Sequence, residues 1–101
     1  TSPRILKISC SGKSAKIEWI SSFNGGDSQT FFALGLIGQH EVTRSGYIED
    51  RGENKIHHTE LQNLQPSTKY MFYVVAINRH GNSSSNQMEC TTLAGIIGKY
   101  Y

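Results

Sequence analysis

Leu61-Gln62-Asn63-Leu64-Gln65-Pro66-Ser67-Thr68-Lys69-Tyr70 runs directly into Met71-Phe72-Tyr73-Val74-Val75-Ala76-Ile77, and this stretch decides the fold class. Its second half is the most β-prone window in the chain, dense in aromatic and β-branched residues, and reads as a central strand entered through the loop around Pro66. Residues 78–86 are polar and contain Gly81, so they read as a hairpin loop before a last strand that carries Met88 and Cys90. Toward the N-terminus, residues 56–61 read as a strand. Residues 38–54, with Gly46, Gly52 and mixed charges, admit only a short strand near Tyr47-Ile48. A strand over about residues 29–36 comes after the strongest turn signal, Asn24-Gly25-Gly26-Asp27-Ser28. At the start, Leu6, Ile8 and Cys10 alternate with Lys7 and Ser9. Beyond the turn Ser11-Gly12-Lys13-Ser14, Ala15, Ile17 and Trp19 alternate with Lys16 and Glu18. No window keeps apolar residues at helical spacing. The expected class is all-β, with about seven short strands arranged as a sandwich rather than a closed barrel.

A chain of 101 residues is sized for one domain. Charged residues are 18% of it and the formal net charge is +2, a field too weak to gather nucleic acid or an anionic membrane. The longest apolar run, residues 70–77, is far short of the ~20 residues that span a bilayer, so no direct membrane insertion is expected. Thr1-Ser2-Pro3-Arg4 lacks an initiator methionine and a secretory profile and reads as the start of an excised piece. Residues 93–101 are apolar but broken by Gly95 and Gly98. The expected organisation is one domain over residues 1–93 and a linker or membrane-proximal tail over 94–101.

Three patterns, in order along the chain, resemble a fibronectin type III domain. Pro3 and Leu6 open a first strand, and a second ends in the single Trp19. Leu61, Leu64, Pro66, Thr68 and Tyr70 match the family's corner, in which the tyrosine hydroxyl closes onto nearby backbone. Phe72, Val74, Ala76, Asn78 and Gly81 then resemble its penultimate strand and the loop after it, and Met88, Cys90 and Thr92 its last strand. The resemblance covers about residues 3–92. It implies a seven-stranded antiparallel Greek-key sandwich with a core of Trp19, Leu61, Leu64, Pro66, Tyr70, Phe72, Val74 and Ala76. A shorter likeness, Phe23-Asn24-Gly25-Gly26, resembles the loop before the third strand in immunoglobulin-superfamily adhesion receptors of the nephrin and sidestep kind.

The resemblance implies a non-catalytic extracellular module of a single-pass cell-surface adhesion or recognition receptor. Its partners would be a protein ligand or a neighbouring domain in a tandem array, and it would carry no cofactor or metal. The alternative is an accessory module of a secreted enzyme or an intracellular muscle-type array. The surfaces expected to meet a partner are the exposed sheet around Tyr73 and the third strand, or the loop from Phe23 to Ser28 with Asn24, Gly25 and Gly26, because loops and exposed aromatics supply recognition. His40, His57, His58 and His80 read as solvent-facing or strand-edge residues. His57 and His58 are neighbours on a strand and point to opposite faces, a poor metal pair. No nucleophile elbow or phosphate loop occurs. Arg51-Gly52-Glu53 differs from an integrin-binding tripeptide by the longer glutamate, and its charges read as solvated. Asn82-Ser83-Ser84 is the one glycosylation sequon. Cys10 and Cys90, inward by alternation on the first and last strands, suit either one long-range bridge or two separate buried thiols.

Overall fold

The computed structural model describes residues 2–21, 28–52 and 55–94. The Phe23, Asn24, Gly25 and Gly26 loop lies outside the described residues, as do Glu53 and all of the 94–101 tail except Ala94. Nine strand segments succeed one another among the described residues: β1 (Arg4–Cys10), β2 (Ala15–Ile20), β3 (Thr30–Ile37), β4 (His40–Arg44), β5 (Ile48–Glu49), β6 (Ile56–Leu61), β7 (Lys69–Asn78), β8 (Gly81–Ser84) and β9 (Met88–Thr91). One sheet has the order β1-β2-β6; the other has β4-β3-β7-β8, with β5 also on β3 and β9 also on β7. All pairings are antiparallel. Because β7 occupies one side of β3, β4 and β5 share the other, and β8 and β9 likewise share the free side of β7. Nine segments therefore fill seven strand positions, the architecture of an antiparallel sandwich.

Both interrupted edges are mended in the same way. Ser45, between β4 and β5, donates its N–H to Ala33 O and accepts the Ala33 N–H on its hydroxyl, each at 2.9 Å. Ser85, between β8 and β9, donates its N–H to Val74 O at 2.7 Å and accepts the Val74 N–H at 2.9 Å. A short hydroxyl side chain here satisfies an inner-strand donor that the broken ladder leaves free.

The core lies between the sheets: Ile5, Ala15, Ile17, Trp19, Phe31, Ala33, Leu61, Leu64, Tyr70, Phe72, Val74 and Ala76. Trp19 is fully buried, with its ring edge-on to Phe31 at 5.6 Å. Gly35, on the same inward face of β3, is flanked in register by Thr43 and Phe72. A Cβ built at this position lies 2.8 Å from atoms of both side chains. Gly35→Ala is accordingly expected to cost about 1–3 kcal/mol through overpacking. A urea-unfolding midpoint equal to that of the parent protein would show that Phe72 and Thr43 yield freely.

Four expectations change. Simple alternation puts Leu6 inside, but β1 carries a bulge between Ile5 and Lys7, so Ile5 enters the core while Leu6 is 37% exposed. The extra residue flips the face, which lets Ile5 and Ile8 both turn inward although three positions apart. The irregular 38–54 region holds an unexpected strand, β4. It is an edge strand with largely exposed side chains, so alternation gives no signal, and it is set by the two-residue turn Gly38-Gln39 with Gly38 at φ 64°. Residues 78–86 are not one loop: Asn78 accepts the His80 N–H on its side chain, and β8 starts immediately after that tight turn. Pro66 is not a core residue. It is exposed at the corner, where its ring fixes φ for the turn and its carbonyl accepts the Thr68 hydroxyl at 2.9 Å.

Candidate functional site

The strand parity that sends Phe31, Ala33, Phe72, Val74 and Ala76 inward sends Phe32, Leu34, Tyr73, Val75 and Ile77 to the outer face of the larger sheet. There Phe32, Leu34 and Val75 form a second apolar cluster, with Tyr73 and Ile77 packed against it. Register sets Phe32 opposite Val75 and Leu34 opposite Tyr73. The edge supplies two further groups. The Arg44 guanidinium sits 4.9 Å from the Phe32 ring centre, and Tyr47, 71% exposed, meets the same ring edge-on at 5.6 Å. Arg44 is aimed by two hydrogen bonds donated to Glu41, at 2.7 and 2.9 Å, and these bonds hold the Glu41 carboxyl below its ordinary pKa. A cation over an aromatic face beside an exposed tyrosine is chemistry suited to a protein surface with apolar and acidic groups. Tyr73, singled out in the sequence, belongs to this cluster. Phe32 lies on the third strand, part of the same expected surface; Arg44 and Tyr47 carry no sequence signal for it, since the 38–54 region has no periodic pattern.

His57 departs most from expectation. Its side chain is 1% exposed and stacks on Trp19 at 5.8 Å with 13° between the ring planes, while Phe31 lies tilted at 5.0 Å. The pairing Ala15–Leu61, Ile17–Thr59, Trp19–His57 puts His57 on the inner face with Leu61, a parity legible in the sequence once Leu61 is taken as core. Nε2 accepts the Arg51 N–H at 2.9 Å, so the proton resides on Nδ1, which donates to Lys55 O at 3.2 Å. Asp50 Oδ1 lies 3.6 Å from Nε2, and that carboxylate accepts from Gln29 Nε2 at 2.7 Å and from the Gly52 N–H at 3.0 Å. Burial pushes the His57 pKa down, opposed by Asp50 and the Lys55 carbonyl and assisted by Arg51 and His58. This network fastens the 50–52 turn, including Arg51 and Gly52 of the tripeptide, onto the core. Ser21, fully buried, adds a hydroxyl bond to Gly52 O at 2.6 Å.

The lowered pKa sets the sign of the pH dependence. As pH falls through about 6.5, the unfolded chain takes up a proton at His57 that the folded chain refuses, so stability declines with falling pH until the native imidazole also protonates. Urea unfolding at pH 8 and pH 5.5 should show a larger loss for the parent protein than for His57→Gln. Equal losses in the two proteins would remove His57 as the source.

The remaining candidates stand apart from one another. Tyr70 is buried, and its hydroxyl accepts the Gln65 N–H at 2.9 Å; Leu64 N–H donates to Lys13 O at 2.8 Å, tying the corner to the β1–β2 turn. Asn82 is exposed on β8, in register with Ile77. Cys10 and Cys90, both half-buried, are joined in a disulfide with their Cα atoms 6.3 Å apart, linking β1 of one sheet to β9 of the other. Among the described residues, no three His, Cys, Asp or Glu side chains form a group that could hold a metal ion.

Two antiparallel sheets, a tryptophan at their interface and a tyrosine hydroxyl closing the 65–70 corner define the class of immunoglobulin-like β-sandwiches. The fibronectin type III domain family matches residues 1–91, and the chain belongs to that family. Members are generally non-catalytic modules that mediate protein interactions and occur in tandem arrays. No curated protein sequence matches the chain significantly. Among solved structures, the sensor domain of the anti-sigma factor RsgI4 from Pseudobacteroides cellulosolvens is similar, with a TM-score of 0.72 at 22% identity over 92% of this chain and 94% of that one. The FN1-FN3 domains of chicken CNTN1 give a TM-score of 0.71 at 17% identity, covering 92% of this chain and 33% of that one. Domains from titin give 0.70 at 23% identity, covering 90% and 32%. These likenesses concern the fold.

Proposed function

We propose that this domain is a non-catalytic interaction module in the extracellular part of a cell-surface adhesion or recognition receptor, with residues 94–101 serving as a linker. The observation that carries the reading is the outer face of the larger sheet. The sandwich has a separate core, so the outer cluster, in which Phe32, Leu34 and Val75 are buried beside the partly buried Tyr73 and Ile77, is a second apolar layer that holds the exposed Tyr47 and Arg44 toward solvent. The Cys10–Cys90 bridge supports an oxidising compartment and speaks against an intracellular array. The exposed Asn82 supports glycosylation in the same compartment.

The test displays the domain on beads and measures their capture by intact cells. Tyr47→Ser and Tyr73→Ser together should reduce capture at least about tenfold while thermal unfolding shifts by only a few degrees, since surface aromatics concentrate binding energy without carrying the core. Unchanged capture by the folded double variant would leave the module as a spacer that sets distance between neighbours.

A further inference from the structure

We infer that the Cys10–Cys90 bridge makes this domain a pre-extended tension strut, in which pull on its two ends passes through β1 and the end of β9 while the chain between the cysteines stays outside the path of the force. The geometry rests on how the first and last segments lie together. β1 begins with Arg4 opposite Ile20 and runs to Cys10 opposite Ala15. The segment from Asn86 to Leu93 runs beside it in the same direction, fixed at three successive points. The Ile5 N–H donates to Asn86 Oδ1 at 3.0 Å, Cys10 is bonded to Cys90, and the Leu93 N–H donates to Ser11 O at 3.0 Å.

Pull applied at Arg4 and beyond Leu93 therefore acts as shear along two parallel segments. The disulfide lies in that shear plane, close to the point where β9 leaves the sandwich. Force entering at Arg4 travels along β1 to Cys10, crosses the sulfurs to Cys90 and leaves through Thr91 and Thr92. No reversal of chain direction occurs on this route. A strand already rises ~3.3 Å per residue, close to the limit of an extended backbone, so straightening β1 adds little length. The enclosed loop, with a sequence separation of 80, holds the corner, the buried His57 network and the outer face; its covalent backbone is not loaded, and force reaches it only through non-covalent contacts such as those of Thr92 with Gln65 and Thr68 at the corner.

No partner is required for this behaviour, so its failure and the failure of the interaction reading are separate results. The experiment stretches single molecules of the full 101-residue chain between handles at its two ends, without reductant and then with a soluble dithiol. The dithiol opens the bridge by exchange: one thiolate attacks a sulfur, the other cysteine leaves as a thiolate, and the second reagent thiol closes a new disulfide within the reagent. Two electrons pass to the protein, which ends with two thiols. The oxidised chain should lengthen by no more than about 50 Å up to high force, whereas the reduced chain should reach a contour longer by roughly 270 Å, the span of the released loop. Cys10→Ser with Cys90→Ser should match the reduced chain. Contour length at high force is the readout, so a variant that fails to fold still reports. A lengthening near 270 Å in the oxidised chain, or equal contours before and after reduction, would overturn the inference.

Discussion

Trp19→Ala will lower the unfolding free energy by about 3–5 kcal/mol, much of the 5–15 kcal/mol that holds a domain of this size together. The reason is positional as well as hydrophobic. Trp19 is fully buried near the end of β2, its indole lies against both Phe31 and His57, and removing it leaves the histidine without its stacking face. Among the described residues the indole N–H has no hydrogen-bond partner, so the loss is one of packing rather than of a broken polar pair. Trp19→Phe should therefore cost clearly less than Trp19→Ala. Urea unfolding monitored by circular dichroism gives all three values, and an alanine variant melting within a few degrees of the parent would contradict this account of the core.

The second large effect is expected at the disulfide. Replacing both cysteines by alanine restores freedom to an unfolded chain otherwise closed over a separation of 80 residues, a loss of about 4–5 kcal/mol from loop-closure entropy. The bridge also joins two sheets through their outer strands, where β9 has only four residues and pairs with β7 alone. The double variant should unfold at a lower urea concentration and with a steeper dependence, because its unfolded state exposes more surface. Alkylation of the intact protein without reductant should leave both cysteines unmodified; modification of both would remove the bridge and with it the predicted loss.

What can be read from the sequence tracks where one face of a strand is buried and the other is not. In β2, Ala15, Ile17 and Trp19 alternate cleanly because the outer face is solvated, and the patterns of β6 and β7 bound them nearly as they occur. The reading fails where that contrast is lost. β4 and β8 are polar edge segments held by backbone ladders and tight turns, so no side-chain pattern announces them. A bulge at Leu6 reverses the parity of β1 midway, and a strict period of two misassigns that residue. β3 is buried on both faces through its middle, from Phe31 to Gly35, because the outer cluster adds a second apolar layer, which conceals the division between core and candidate site. His57 misleads by its chemistry: a titratable side chain suggests solvent, although its register with Trp19 demands the interior. Pro66 misleads by its membership of a corner motif, where its contribution is backbone geometry rather than core packing.

The serines that interrupt the two outer edges of the larger sheet bear on how closely copies of the domain can crowd together. Ser45 and Ser85 turn their hydrogen-bonding groups inward to Ala33 and Val74, and the segments on either side are at most five residues long. A neighbouring chain seeking to extend the sheet finds short, offset rungs instead of a continuous ladder, which discourages edge-to-edge polymerisation. Modules strung in series at high local concentration can then lie side by side without fusing into a common β-structure.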